Sequence, residues 1–334
     1  MPVRLLDQEQ VTALLGMREC MGAMEEALRA LAQGGAVMPL RTVLQLPGGR
    51  GAFGAMPAHL DPPDAIGLKA ITVFPGNEGT AYDSHQGVVL LFEATHGSLV
   101  AVLDASSITA IRTAAVSGVA TRLLAAPEAG VLAMIGSGVQ ADTHLDAMMV
   151  ARPIREVRVA SRQPANAARF VARSRARYAG LKVEAVPTVE DAVRGAEIVC
   201  TVTSSREPVV AGAWLAPGCH LNAVGASLRS ARELDSDAVA RAKLFVDRRE
   251  STLAESGDFL VPKSEGRFGD DHIRGEIGEL LLGKVAGRED DGEITLFKSL
   301  GLAIEDVAAA HFVLREAERF GVGSVIELGG MRDE

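Results

Sequence analysis

The sequence predicts an α/β protein with two domains, and three observations support this class. With 334 residues, of which 48% are hydrophobic, the chain is long enough for about two domains with sizeable cores. Short apolar runs separated by Gly, Pro, Asn and Asp fill the stretch from Arg41 to Asp104, which predicts antiparallel strands joined by hairpins. From Gly130 onward, strand-like runs alternate with helical ones, which predicts a parallel sheet covered by helices on both faces.

The composition argues against several classes of protein. The net charge of −9 opposes a surface that tracks nucleic-acid phosphates. No apolar run approaches the roughly 20 residues that span a bilayer, and the N-terminus lacks the basic-then-apolar order of a secretory signal. The three cysteines, Cys20, Cys200 and Cys219, lack CxxC spacing, which argues against a disulfide framework or a zinc site. We expect a cytoplasmic protein that binds neither nucleic acid, membrane nor metal.

The first domain is predicted to begin with two helices. Asp7 suits the N-cap of the first helix, and apolar residues at helical spacing predict a second over about 18–33, which Gly34 ends. The predicted strands that follow are RTVLQLP, GAFGAMP, GLKAITVFP, QGVVLLFEA and GSLVAVLD. A helix is then predicted over about 106–125.

The second domain is predicted to start with the strand VLAMIG and a helix that runs to about Val150. The strand REVRVAS and a helix over 164–178 follow, and the later strands are LKVEAV, EIVCTV, HLNAVG and KLFVDR. A last helix, over 302–320, is expected to return to the first domain. These patterns set the domain limits at 1–115 with 305–334 for the first domain and 116–304 for the second.

A glycine motif stands where the first parallel strand meets its helix. Gly136, Gly138 and Ala141 form GxGxxA in the strand-to-helix context that a dinucleotide-binding fingerprint requires. The glycines allow a sharp turn and the close approach of a pyrophosphate, which the helix N-terminus attracts. The sequence therefore predicts a Rossmann domain in which this loop, with Val139 and Gln140, holds a nicotinamide dinucleotide.

The end of the second parallel strand indicates which dinucleotide is used. An NAD enzyme usually places a carboxylate there for the ribose 2′-hydroxyl, whereas this chain has Ser161 and Arg162, which suit a 2′-phosphate. We expect NADPH, with NADH possible; in the alternative interpretation, Arg162 is merely a solvated residue at the start of a helix. Thr201, Thr203 and Ser204 follow the fourth strand and either line the cofactor cleft or cap a turn.

Three cations of the first domain lie among apolar neighbours. They are Arg41, Lys69 and Arg112, and burying such charges is costly unless each meets an anion. One interpretation is that they converge on the carboxylate of a substrate, with Arg forming a bidentate pair. The other is that each pairs with an internal carboxylate such as Glu93 or Asp104.

The chain resembles the ornithine cyclodeaminase/mu-crystallin family over nearly its whole length. The segments that carry the resemblance include GLKAITVFPGNEG, SHQGVVLLFEATHG, ASSITAIRTAAVSGVAT, IGSGVQA, ESGD, GEIGELLLGK and TLFKSLGLAIEDVAAA. The resemblance implies a homodimeric oxidoreductase-like fold with an α+β substrate-binding and dimerisation domain, a Rossmann domain and a site between them. It also implies that the C-terminal helix completes the first domain.

The resemblance further implies roles for individual residues. Arg41, Lys69 and Arg112 match the family's clamp for the substrate carboxylate, and the GxGxxA loop matches its dinucleotide loop. The other implied positions are Thr113 near the cofactor phosphates, Lys298 and Ser299 beside the nicotinamide, and Met56 and Glu93 in the substrate pocket.

One position separates members of this family. Ornithine cyclodeaminases carry an acidic residue just after the NxVGx run, where it handles the substrate's amino groups. This chain has Ser227 there, in VGAS, and RELD follows, as in the family's ketimine reductases. Losing a general base disfavours chemistry that must deprotonate an alkylammonium, whereas a preformed cyclic imine needs no such group.

We therefore expect reduction of a small cyclic ketimine, Δ1-pyrroline-2-carboxylate and/or Δ1-piperideine-2-carboxylate, to L-proline or L-pipecolate. The candidate catalytic residues are Lys69, Arg112 and Ser227, and the source of the imine proton (Lys69, Ser227 or water) is left open. The alternatives are an ornithine cyclodeaminase, an amino-acid dehydrogenase of the alanine dehydrogenase kind, and a non-catalytic NADPH-binding protein of the crystallin kind.

Overall fold

The computed structural model describes residues 1–77 and 79–330. It divides into two compact units, Met1–Arg112 with the chain from Leu302 on, and Thr113–Gly301. The limits set from the sequence, 115/116 and 304/305, fall three residues further along the chain in each case. No helix of the described ranges combines the length and apolar character needed to cross a membrane.

The elements are given in chain order. The first unit opens with β1 (Pro2–Leu6), α1 (Gln8–Leu14), α2 (Met17–Gln33), β2 (Ala36–Val37), β3 (Thr42–Gln45), β4 (Ala52–Leu60), β5 (Ala65–Val73), β6 (His85–Glu93) and β7 (Leu99–Asp104), and the helix α3 (Ala105–Leu124) contains the boundary between the two units. The second unit continues with β8 (Val131–Ile135), α4 (Val139–Ala151), β9 (Glu156–Ala160), α5 (Pro164–Arg177), β10 (Lys182–Ala185), α6 (Val189–Val193), β11 (Ile198–Thr201), β12 (His220–Ala223), α7 (Ser236–Arg241), β13 (Lys243–Val246), α8 (Arg249–Glu255), α9 (Gly257–Ser264), β14 (Ile273–Glu276), α10 (Ile277–Leu281) and β15 (Thr295–Lys298). The chain returns to the first unit with α11 (Ala303–Phe320) and β16 (Ser324–Glu327).

The first unit is built on a mixed sheet in the order β16-β1-β7-β6-β5-β4-β2, with β3 also paired to β4. The pairs from β4 to β7 are antiparallel, as the hairpin pattern predicts. Two helix boundaries also follow the sequence prediction: Asp7 caps α1 through a capping box with Gln10, and Gly34 ends α2 at a φ of 85°. The C-terminal helix α11 packs on β4, β5 and β6 and against α2.

A glycine lets α11 approach β5 closely. A Cβ atom on Gly67 would lie 2.5 Å from Cγ2 of Val307, which is too close for any larger residue without movement. Alternate side chains of β5 face the same side, so Lys69, two residues after Gly67, also faces α11. This approach brings the first turn of α11 to the strand that carries the buried lysine.

The second unit is a parallel sheet in the order β10-β9-β8-β11-β12-β15-β13-β14. The first five strands along the chain therefore stand in the order 3-2-1-4-5 of a Rossmann fold, and the order reverses between β8 and β11. A hydrophobic core that includes Ile135, Val199, Leu221 and Val246 fills the space between this sheet and its helices. The mixed α/β class with a parallel sheet is confirmed.

The sequence pattern missed four strands longer than two residues, and also the two-residue strand β2. β1 and β16 add an edge to the first sheet, and β1 pairs in parallel with β7, not in a hairpin. All four residues of β16 are exposed, and the four of β15 are all buried, so neither strand shows the alternation of a half-buried strand. The fourth is β14, which pairs with β13 at the other edge of the parallel sheet.

Candidate active site

Lys69 lies in the middle of β5, between Met56 on β4 and Val89 on β6. Its side chain is buried, with 3% of its surface exposed. An isolated ammonium in such a place would cost several kcal/mol of effective desolvation, so the site must supply an anion.

That anion is Asp306, in the first turn of α11. Its Oδ2 lies 2.8 Å from Nζ of Lys69, and its Oδ1 accepts a hydrogen bond of 2.9 Å from Nε of Arg112. The neighbouring Glu305 accepts a 2.7 Å hydrogen bond from NH1 of Arg112, and Thr109 lies 3.4 Å from Nζ of Lys69. One carboxylate therefore bridges the two buried cations.

The charges around Lys69 act in opposite directions. Burial lowers the pKa of Lys69 to about 8, the nearby Asp306 opposes this, and the charges of Arg112 and Arg41 add to it. Arg41 stands just before β3 and is half-buried. Two buried cations, Lys69 and Arg112, thus face two buried carboxylates, and the charge of Arg41 also reaches Lys69.

The internal carboxylates named as partners from the sequence were wrong. Asp104 accepts hydrogen bonds from the amide and hydroxyl of Ser107 at the start of α3. Glu93 is the last residue of β6, and the amides of Ser98 and His96 in the turn that follows lower its pKa to about 2. Sequence reasoning did not name Glu305 and Asp306 as partners of the buried cations. Two acidic residues inside the apolar run GLAIEDVAAA were the signal that could have indicated them.

The two pocket positions inherited from the resemblance differ. Met56 stands directly opposite Lys69 and is buried, so it contacts the same region of the sheet. Glu93 stands opposite Ala65, four positions further along β6 than Val89, and its carboxylate is used by the turn. The carboxylate of Glu93 therefore stabilises the turn after β6.

The glycine loop of the second unit has the shape that a dinucleotide needs. Gly136 has a φ of 117°, and a Cβ atom there would lie 2.7 Å from the carbonyl oxygen of Val202. Gly138 is the N-cap of α4 and supplies no capping side chain, and no heavy atom lies within 4 Å of the place of its Cβ. The exposed helix N-terminus, with Val139 64% exposed, is open to a pyrophosphate, so these residues fit the cofactor.

The residues around this loop are placed as follows. Ala141 is buried in α4. The backbone carbonyl oxygen of Gln140 lies 2.7 Å from Nδ1 of the buried His144. The hydroxyl of Ser137 donates to that of Ser161, 2.9 Å away, and Arg162 is exposed beside it. Thr113 is buried in α3.

A buried carboxylate ties together the loops at the carboxyl edge of the parallel sheet. Glu233 accepts hydrogen bonds from the Thr201 hydroxyl, from the amide and hydroxyl of Thr203 and from the amide of Gly225, at 2.7 to 2.9 Å. Burial raises the pKa of Glu233, and the charge of Lys298 opposes this. The hydroxyls of Thr201 and Thr203 therefore hold the turn at this edge of the sheet, while Ser204 is exposed.

Lys298 belongs to the same network. Its Nζ donates to the carbonyl oxygen of Ala226 at 2.6 Å and lies 3.0 Å from Oδ2 of Asp258, whose Oδ1 accepts from the amide of Glu233. The side chain is 1% exposed, so its ammonium supports the loop before Ser227 from inside the protein. Ser299 is also buried, and Ser227 is partly exposed.

Sequence reasoning missed Glu233 and Asp258 as site residues. Both lie in motifs that were read for the resemblance alone, RELD and ESGD. Across 1–77 and 79–330, no group of three or more His, Cys, Asp or Glu side chains is placed to hold a metal ion.

A Rossmann unit with an open glycine loop, joined to a unit with buried cations, defines the class of nicotinamide-dinucleotide-binding oxidoreductases. Within this class the chain belongs to the ornithine cyclodeaminase/mu-crystallin family, whose model matches residues 3–320.

The similarity to known relatives extends over most of the chain. The ketimine reductase mu-crystallin of Mus musculus is 41% identical over 280 residues, which cover 84% of this chain and 85% of that protein. The structure of Thermococcus litoralis Δ1-pyrroline-2-carboxylate reductase in complex with NADH and L-proline matches with a TM-score of 0.94 and 37% identity, over 96% of this chain and 99% of that one. An archaeal alanine dehydrogenase dimer with bound NAD matches with a TM-score of 0.92 and 37% identity, over 98% and 100% of the two chains.

Proposed function

We propose that the protein is an NAD(P)H-dependent ketimine reductase. Its substrate is a small cyclic imino acid, Δ1-pyrroline-2-carboxylate and/or Δ1-piperideine-2-carboxylate, and its product is L-proline or L-pipecolate. The observation that carries the proposal is the pair of buried cations, Lys69 and Arg112, bridged by Asp306 and accompanied by Arg41. The relative from T. litoralis carries L-proline and NADH, the kind of product and cofactor that this reaction involves.

In this proposal, Arg41, Lys69 and Arg112 hold the substrate carboxylate. A carboxylate prefers charge-assisted donors, and an ammonium offers three N–H groups, of which Asp306 and Thr109 take two in Lys69. Holding the carboxylate fixes the adjacent imine carbon, and such orientation is most of what the protein must provide. Lys69 acts as a cationic anchor, since the substrate already carries its own C=N bond.

The glycine loop supports the cofactor part of the proposal. Gly136, Gly138 and the first turn of α4 would hold the pyrophosphate, and the bound nicotinamide supplies the hydride. We further propose NADPH as the preferred form, because Ser161 and Arg162 follow β9 where a carboxylate would otherwise repel a 2′-phosphate.

Ser227 supports reduction over cyclodeamination. It follows β12 at the position where an acid would handle amino groups, and its hydroxyl is no general base without a partner. The second candidate is an alanine-dehydrogenase activity, which is favoured by the likeness to the archaeal alanine dehydrogenase.

We also propose that the protein forms a homodimer through the outer face of its first sheet. Most side chains of β5 and β6 that point away from α11 are apolar, and Ile66 and Val88 among them are 39% and 36% exposed. An apolar sheet face of this kind is stable only when it is covered, and the archaeal relative is a dimer. In such a dimer, the outer face of the first sheet of one subunit would pack against the same face of the other subunit.

The experiment measures initial rates with NADPH and with NADH, and the signal that is monitored is the loss of the reduced nicotinamide. We expect turnover with both cyclic imines, less with pyruvate plus ammonia, and a preference for NADPH. Lys69→Ala should raise KM for the imine by at least about tenfold, whereas Lys182→Ala, on an exposed strand of the second unit, should not. Absence of imine turnover with either cofactor would contradict the proposal.

A further inference from the structure

We infer that Asp306 is a positioning residue of the substrate site, which holds Lys69 and Arg112 at one fixed spacing. Its two carboxylate oxygens are divided between the two cations, at 2.8 Å and 2.9 Å. The inference rests on the proposed function, because the two cations matter to catalysis only if they bind the substrate.

The backbone fixes where this carboxylate stands. Asp306 lies in the first turn of α11, an eighteen-residue helix whose approach to β5 is set by Gly67 beneath Val307. A negative charge in the first turn is also favoured by the helix dipole. The aspartate is 1% exposed, so solvent hardly screens its charge from that of Lys69.

The charge balance requires this residue. Without Asp306, the ammonium of Lys69 would be buried with the positive charges of Arg112 and Arg41 acting on it, and a buried lysine in such surroundings loses its proton at lower pH. The charged and titratable groups around it are Asp306 from α11, Arg112 from α3, Arg41 before β3 and His85 from β6, whose own pKa is lowered by burial and by the charge of Lys69. Glu305 contacts Arg112 at 2.7 Å, whereas the carboxylate in contact with Lys69, at 2.8 Å, belongs to Asp306.

This difference gives a matched pair of variants. Asp306→Asn removes the charge that faces Lys69, whereas Glu305→Gln removes an equally buried carboxylate one residue away that contacts Arg112. Both variants lose a buried ion pair in the same helix turn, so a general loss of packing affects both.

The experiment measures the pH profile of kcat/KM for imine reduction in each variant. In Asp306→Asn we expect the alkaline limb to move to lower pH by at least about one unit, and KM at neutral pH to rise at least about tenfold. In Glu305→Gln the alkaline limb should stay in place. The Kd for NADPH, which the second unit binds, should change less than about twofold in both.

A second readout does not depend on catalysis. The Cε resonance of Lys69 in protein labelled with ¹³C-lysine, assigned by comparison with Lys69→Arg, reports its titration directly. If wild-type protein reduces no imine but the Lys69 titration still falls in Asp306→Asn alone, the proposed function fails while the electrostatic coupling of Asp306 to Lys69 stands. An unchanged titration, or equal shifts in both variants, would overturn the inference.

If Asp306→Asn fails to fold, the variant Asp306→Glu tests the positioning role of Asp306 instead. This variant keeps the charge but displaces it by one methylene, so the alkaline limb should stay while KM rises several-fold. A wild-type KM in that variant would overturn the positioning role.

Discussion

Gly67 on β5 lies directly beneath Val307 on α11, so close that a Cβ atom would stand 2.5 Å from the valine Cγ2. This contact sets the distance between the strand that carries Lys69 and the helix turn that carries Asp306. A residue with no side chain is therefore the basis of the ion-pair geometry.

The first prediction follows from this contact. Gly67→Ala should push α11 outward, lower stability by about 1–3 kcal/mol and raise KM for the imine, because overpacking displaces Asp306. Thermal unfolding and initial rates measure both effects. Gly54→Ala on β4, where a Cβ atom would meet only ordinary contacts at 3.5 Å, should change neither, and a wild-type KM in Gly67→Ala would count against the packing account.

The second prediction concerns pH. Because burial lowers the pKa of Lys69 to about 8, the free enzyme loses this positive charge as pH rises through that value. We expect kcat/KM for the imine to fall above about pH 8, and Lys69→Arg, which stays charged, to abolish the contribution of this group.

Stability should change in the opposite sense. The folded chain releases the Lys69 proton at lower pH than the unfolded chain, so the unfolding free energy gains from this group as pH rises above 8. Denaturant titrations of wild type and Lys69→Met between pH 7 and 10 measure that difference. An identical pH dependence in both proteins would show that the lysine is not strained by burial.

The third prediction concerns Glu233 and the cofactor loops. Glu233→Gln places an amide among four donors, so the turns after β11 and β12 should loosen and the Kd for NADPH should rise at least about tenfold. Glu197→Gln is the control, because Glu197 accepts the amides of Gly130 and Val131 at the opposite edge of the sheet. It should lower the melting temperature without weakening NADPH, and equal losses of affinity would contradict a local role for Glu233.

The fourth prediction concerns assembly. Val88→Glu puts a charge on the exposed apolar face of the first sheet and should convert a dimer to a monomer in sedimentation experiments. Ala168→Glu, on an exposed part of α5, should leave the mass unchanged. A dimer that persists in Val88→Glu would place the interface elsewhere.

Much of the fold was predictable because it depends on local sequence patterns. The GxGxxA loop, the capping residue Asp7 and the alternation of strands and helices each depend on neighbours in sequence. The strands that escaped prediction, such as β15, are short and buried on both faces, so their residues carry no periodic signal.

The site was predictable only in part, for the same reason. The apolar neighbours of Lys69 and Arg112 showed that these charges need an anion, but the identity of the anion depends on contacts across most of the chain. For the interpretation with internal partners, sequence reasoning named Glu93 and Asp104 as examples, whereas the structure uses Asp306. Likewise, the ion pair of Lys298 with Asp258 depends on tertiary contacts that local sequence patterns do not show.

The most direct test is a crystal structure of the protein with NADPH and L-proline, the expected product. We predict the carboxylate of the ligand within hydrogen-bond distance of Lys69 Nζ and the Arg112 guanidinium, with Asp306 still bridging the two. A ligand whose carboxylate contacts neither cation would contradict the central claim that these buried charges hold the substrate.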